Sequence, residues 1–312
     1  MLFRKIIHIS AEHSPNVRIA KARIAAGIEG PHPTIVPGVV SYADYLRRME
    51  TWDPVKRTIR LFGQFYEGAE VLLFPVQWLD RAEAISRDWT DSKISVRRTM
   101  GVDAAEGNDS TVWTICEPRR IVHQLALKTH NTDDIPGRTL ALMREFNVSA
   151  ENVLFDRGGG GKQHADRMRG MGHRVRTVGF GEPATQLIDE KSRAVTTRTK
   201  ENEMLETRYI YKNRRAEMYG LTRLKLDPEE NPEGFGIPEH LQEMRRQMSL
   251  MPLLYDPEGR MYLPPKRKAD PNSNKSSLKE IIGCSPDECD SLVLAVFGQV
   301  HPAKVIKAGA AF

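Results

Sequence analysis

From Ser95 onward the hydrophobic positions fall into short dense runs and spaced stripes. Thr99 to Val102 is an apolar, β-favouring run that ends on Asp103. The small and turn-forming residues Ala104, Ala105, Gly107 and Asn108 follow, and Thr111 to Ile115 resumes the strand pattern. Arg120 to Lys128 alternates, with Ile121, His123, Leu125 and Leu127 on one face. Asp133 to Phe146 has the spacing of a helix whose apolar face carries Leu140, Met143 and Phe146, with acids at its positive end. Asn152 to Asp156 is a short apolar strand ending in an acid, the pattern of a strand covered on both faces. Gly158 to Gly161 predicts a turn, Lys162 to Gly170 a basic helix, and Arg174 to Phe180 another strand. Strand, helix, strand in that order implies a parallel crossover.

The later pattern predicts a long helix from Glu203 to Leu226, with some combination of Leu205, Tyr209, Tyr211, Ala216, Tyr219 and Leu224 turned inward. A second helix spans Pro238 to Ser249, and a hairpin joins Leu253–Tyr255 to Arg260–Leu263. The last helix runs from Ser285 to Phe297, with Ser285 as N-cap and Pro286 at the first helical position. Residues 182 to 202 are polar, lack periodicity and read as a mobile loop. Residues 1 to 92 are loop-rich. A strand at Lys5–Ser10, a helix at Asn16–Ala26, a helix at Ser41–Met49 capped by Ser41, and a helix at Asp80–Arg87 are expected there, without an independent core.

Composition changes this picture only a little. The 312 residues are 40% apolar and 28% charged, an ordinary globular mixture for one large or two modest domains. The net charge of +5 tilts towards an anionic partner, nucleic acid before membrane. Cys116, Cys284 and Cys289 have no C-x-x-C spacing, so neither a zinc site nor a disulfide framework is expected, and a reducing compartment fits. No stretch approaches the ~20 apolar residues of a membrane span.

The candidate chemistry lies in acids at element ends. Asp103 and Asp156 end strands that share one sheet edge, where α/β sheets place their sites. Asp287 and Asp290 are three residues apart on one face of the last helix, and Asp290, at the start of its apolar stretch, is the better ligand. Asp156 on a dry strand is costly to bury unless paired or metal-bound. Carboxylates from several elements suit a pair of hard divalent ions, about 3.5–4 Å apart, clamping an in-line phosphoryl displacement. Asp109 and Glu106 are within reach of the site, but the expectation is that they cap the hairpin turn. Gly158 to Lys162 is not a nucleotide-binding P-loop: Asp156 stands where the first glycine belongs, and Gln163 where Ser or Thr belongs. Lys162, Arg167, Arg169 and Arg174 form one basic flank, and Lys266, Arg267 and Lys268 open a basic loop, both able to meet DNA phosphates.

Four blocks carry a resemblance. Gly101-Val-Asp103 with Gly107, Asp109 and Thr111; Val153-Leu-Phe-Asp156 with Gly158; Asn213-Arg-Arg-Ala-Glu-Met-Tyr219; and Ser285-Pro-Asp-Glu-Cys-Asp290 together resemble the C-terminal nuclease domain of phage large terminase subunits. The resemblance covers about residues 95 to 300. It implies an α/β, ribonuclease H-like mixed sheet flanked by helices over residues 93–312, with Asp103, Asp156 and Asp290 as catalytic metal-binding acids and Asp287 beside them. It implies two Mg2+ or Mn2+ ions, and an endodeoxyribonuclease cutting concatemeric double-stranded DNA during genome packaging. One ion, held by Asp103 and Asp290, would activate water. The other, held by Asp103 and Asp156, would stabilise the leaving oxygen.

Residues 1–92 resemble the tail of that family's ATPase domain and its linker, through Arg60–Gly68 and Pro75–Leu79. No Walker A or Walker B pattern precedes them, so no ATPase activity is expected of this chain alone. The implied partners are an ATPase domain, the small terminase subunit and the portal, in the cytoplasm of the bacterial host and not the mature virion. Two other readings stay open: a DNA-docking and assembly module with weak or no cleavage, and a resolvase- or transposase-type ribonuclease H-like nuclease.

Overall fold

The computed structural model describes residues 9–52, 57–63, 72–89, 96–105, 109–128, 131–185, 197–198, 204–205, 210–256, 258–268 and 276–303. The chain divides into two compact units, Met1–Val71 with Thr197–Leu205, and Leu72–Thr196 with Glu206–Phe312.

The first unit is built on helices α1 (Pro15–Ala25) and α2 (Tyr42–Thr51). Its buried cluster is small: Val17, Tyr45 and Leu61, with Val40, Met49 and Trp52 among the residues packed around it. The sequence pattern gave no sign of this cluster, because its members are too scattered to make a stripe. Asn16 fixes the following loop: its side-chain oxygen accepts from Ile35 N at 2.8 Å and Val36 N at 2.9 Å. Ser41 caps α2 as expected, accepting from Asp44 N. Most of the expected strand at Lys5–Ser10 lies outside the described residues, and Ile9 and Ser10 are not in a strand. A short ribbon pairs Thr197–Arg198 with Met204–Leu205.

The second unit begins with α3 (Val76–Arg87) and continues into strands β1 (Thr99–Asp103), β2 (Thr111–Glu117) and β3 (Arg120–Leu127). Helix α4 (Asp134–Glu145), strand β4 (Val153–Asp156), helix α5 (Gly161–Gly170) and strand β5 (Arg176–Val178) follow. The sheet order is β3-β2-β1-β4-β5. β1 and β2 are antiparallel, as are β2 and β3, whereas β4 is parallel to both β1 and β5. Alternation along the strands sorts their side chains between two faces. Met100, Val102, Val153 and Phe155 join Ile135, Leu142, Ala165 and Met168 in one buried cluster, so α4 and α5 cover that face.

The other face receives α9 (Asp287–Val300), which packs on β1, β2 and β4. Eleven of its residues are buried, from Asp287 to Gly298, because α6 (Arg214–Leu226) and α7 (Gln242–Ser249) pack against it as well. The approach to β1 is very close. A Cβ on Gly101 would lie 2.0 Å from Ser291 O and 2.6 Å from Ala295 N. Thr99 Oγ1 donates to Ala295 O at 2.8 Å, and the Thr114 and Ser291 hydroxyls are hydrogen-bonded at 2.6 Å.

Expected elements differ at their starts: α3 begins at Val76, ahead of Asp80, and α7 at Gln242, after Pro238. The helix drawn from Glu203 begins at Arg214, because Asn213 caps it with its side-chain oxygen on Ala216 N. Met204 and Leu205 lie instead in the ribbon, and Leu224 is exposed. The side chains of Leu205 and Tyr209 fall outside the described residues, as does most of the loop expected over 182 to 202. At the start of α9 the N-cap position is taken by Pro286, and the Ser285 hydroxyl turns to the Asp287 carboxylate. The helix is one residue shorter there than a Ser285 cap would make it. The short helix α8 (Leu278–Ile282) carries a full capping box between Ser277 and Glu280. Among the described residues no helix is long and apolar enough to cross a membrane.

Gly101→Val should therefore destabilise the second unit by about 3 kcal/mol or more, since the added atoms meet backbone and not a movable side chain. Thermal unfolding checks this, and a melting temperature equal to wild type would refute the close-packing account.

Candidate active site

Val102 pairs with Phe155 in the parallel ladder, so Asp103 and Asp156 leave adjacent strands side by side. Both have the parity of the α9 face, where the first turn of that helix presents Asp287 and Asp290. All four carboxylates are buried, Asp290 completely. They line or underlie a cavity of about 860 Å3, whose walls also hold Arg157, Phe180, Asn213, Arg215, Lys266 and Arg267.

The turn after β4 keeps this space open. Gly159 and Gly160 adopt φ values of 55° and 81°, and a Cβ on Gly159 would lie 2.6 Å from Ala104 O. The chain thus passes against the end of β1 while Gly158 N donates to Asp156 Oδ1 at 3.2 Å.

One cation stands among the acids. Lys266 Nζ lies 2.7 Å from Asp290 Oδ2, 3.3 Å from Asp103 Oδ2 and 4.0 Å from Asp287 Oδ1. Tyr219 donates its hydroxyl to Asp290 Oδ1 at 2.7 Å, and Arg215 Nη2 is 3.7 Å from the same oxygen. Four carboxylates thus face two positive charges. Burial holds the Asp103 carboxyl well above the usual carboxylate range; Lys266 opposes this, while Asp290, Asp156 and Asp287 reinforce it. Burial also raises Asp156, against the Gly158 N–H, and raises Asp287, against the Ser285 hydroxyl. Burial works against the Lys266 ammonium, but Asp103 and Asp290 outweigh it and its pKa rises.

Among the described residues no three Asp, Glu, His or Cys side chains converge closely enough to chelate an ion in this arrangement. The chemistry of the donor set nevertheless fits hard divalent cations. It is all carboxylate oxygen and it carries surplus negative charge, four buried acids against Lys266 and Arg215.

The residues expected to meet DNA divide. Lys266 and Arg267 line the cavity, Lys266 turned inward to the acids and Arg267 pairing with Asp109 at 3.3 Å. Asp109 thus forms an ion pair on the cavity wall; Glu106 lies outside the described residues. Lys268 pairs with Glu280 at 3.0 Å. Lys162 and Arg169 both pair with Asp166, and Arg167 with Asp133, along α5. Arg174 is exposed, and none of these last four lines the cavity. Arg215 and Tyr219 lie in the Asn213–Tyr219 block but had no chemical role assigned from the sequence. Their signal was spacing: four residues apart, they share a face of α6.

The geometry has counterparts among solved structures. A nuclease domain of the large terminase subunit of bacterial virus Sf6 matches with a TM-score of 0.51 at 13% identity, over 72% of this chain and 98% of that one. A lysine-to-alanine variant of that domain, with manganese and beta-thujaplicinol, matches at 0.53 and 12% identity over 72% and 98%. The variant with calcium matches at 0.53 and 14% identity over 72% and 99%. No protein-family model and no curated protein sequence matches the chain.

The raised carboxyl groups set a pH dependence. Between the ordinary carboxylate range and their raised values, the folded chain keeps protons that the unfolded chain has released, so stability falls as pH rises through that window. Asp103→Asn removes one such group and leaves Lys266 paired with Asp290. In chelator at about pH 8 the variant should be more stable than wild type, with a flatter pH profile. Thermal melts across the pH range check this, and a variant no more stable than wild type would contradict it. The chain has the fold of the phage large-terminase nuclease domain, a ribonuclease H-like mixed sheet flanked by helices.

Proposed function

We propose that this chain is a divalent-ion-dependent endodeoxyribonuclease, the nuclease part of a phage large terminase subunit, which cuts concatemeric double-stranded DNA during packaging. The observation that carries the reading is that Asp103, Asp156 and Asp287, from two strand ends and one helix, line a single cavity, with the buried Asp290 joined to Asp103 through Lys266. Asp103, Asp156 and Asp290 would hold two Mg2+ or Mn2+ ions, with Asp287 beside them. When bound, such ions supply Lewis-acid charge for the attacking water and the departing oxygen.

The protein's own part is placement and charge balance. Asp103 ends the strand between β2 and β4 and interacts with the other three acids, so it is the group suited to serve both ions. Tyr219 holds one oxygen of Asp290 at 2.7 Å and so fixes the carboxylate's plane. Lys266 balances the acids at 2.7–4.0 Å. Arg267 at the wall and the basic α5 flank give the anionic duplex a favourable approach.

We assign residues 1–92 to the tail of the packaging ATPase domain and its linker. The ATPase itself, the small subunit and the portal would then be partners in the host cytoplasm.

Plasmid nicking in Mg2+ or Mn2+ tests the assignment. Asp103→Asn and Asp156→Asn should each lower the rate by at least ~100-fold, the scale of losing transition-state charge stabilisation. Wild-type cleavage by either variant would sink it.

A further inference from the structure

Arg215 has an unfinished set of hydrogen bonds. It is only 8% exposed, yet it lines the carboxylate cavity. Its Nη1 donates to Pro264 O at 3.2 Å. Its Nε and Nη2 are buried and meet no well-formed hydrogen bond, the Tyr219 hydroxyl and the Asp290 carboxylate being their polar neighbours. Leaving charged donors dry and unmatched is costly, so such groups in a folded protein call for a reason.

Balancing Asp290 is not a sufficient reason. One oxygen of Asp290 already accepts from Tyr219 at 2.7 Å, and the other lies 2.7 Å from Lys266. The Arg215 contact with Asp290 is longer, at 3.7 Å, and is an ion pair without a hydrogen bond. The guanidinium is instead held in place by its surroundings. Its centre lies 5.9 Å from the Phe180 ring and 5.8 Å from the Tyr219 ring, and Nη1 is tied to Pro264. Two adjacent N–H groups remain, in the planar fork that matches the oxygens of a phosphate. The start of α5 borders the same cavity through Gly158 and Gly159, so the positive end of a ten-residue helix adds to the anion-favouring field.

We propose that Arg215 is a phosphate-binding residue, its Nε and Nη2 donating to the non-bridging oxygens of a DNA phosphodiester drawn into the carboxylate cavity. The inference rests on the nuclease reading, and its test separates the two. Arg215→Lys keeps a positive charge beside Asp290 and loses the fork. Its melting temperature should stay near wild type, and its Mn2+ affinity, read by electron paramagnetic resonance, within about twofold. Its affinity for a short DNA duplex in calcium should fall about tenfold. Its single-turnover cleavage in Mn2+ should fall about 100-fold. In the wild type, the Arg215 Nε–H resonance should move on titration with the duplex.

Wild-type duplex affinity and cleavage in Arg215→Lys would overturn the proposal. So would an unmoved Nε–H resonance, which decides the matter even where the variant does not fold. If the wild type cuts no DNA with any divalent ion, the nuclease reading fails, and duplex affinity and the resonance alone decide Arg215.

Discussion

The contact between α9 and β1 is where the rest of the second unit takes its dimensions. A strand and a helix usually stand apart by the length of their side chains. Here Gly101 removes that spacer, and Ser291 O and Ala295 N come to the strand itself. Thr99 and Thr114 then satisfy polar groups of α9 that so close an approach buries. Because the helix lies against the strands near its own beginning, its first turn reaches the strand ends. Asp287 and Asp290 are thereby brought to Asp103 and Asp156, which the β1–β4 pairing sets side by side.

Once the acids meet, their mutual repulsion and their burial must be offset. Lys266, Arg215 and the Tyr219 hydroxyl do part of this, and the raised carboxyl groups show that they do not do all of it. A surplus of desolvated negative charge is unfavourable for folding and favourable for a multivalent cation. The same imbalance therefore accounts for both the expected cost in stability and the expected ion requirement. The two inward cations come from separate elements, a loop and α6. A single flanking segment could not reach the acids from two sides.

Much of the fold was legible because it depends on local pattern. The strands at Thr99, Thr111, Arg120 and Val153 declare themselves through runs and alternation, and the crossover follows from their order with the helices. The acids were legible because each ends an element. The rest depends on pairing across distance. Nothing in Lys266-Arg-Lys distinguishes the lysine that turns inward from the two neighbours that pair at the surface. Arg215 and Tyr219 looked like ordinary members of a helix face until that face met α9. The apolar stripe of α6 continues upstream in the sequence, whereas the Asn213 cap sets the helix boundary. The small cluster of Val17, Tyr45 and Leu61 is assembled from three distant segments and leaves no periodic trace.

Gly101 has a consequence for how this protein's variation should be read. It bears no side chain, touches no candidate ligand and would draw no attention in a search for polar chemistry. Yet it sets the distance between two backbones, and that distance sets where four carboxylates stand. Gly298, near the other end of the helix, is a milder case, since an added Cβ would lie 2.6 Å from Leu154 Cδ1, the movable end of a side chain. Inherited changes at such silent positions would alter the site as surely as changes to the acids, while leaving every acid in the sequence intact.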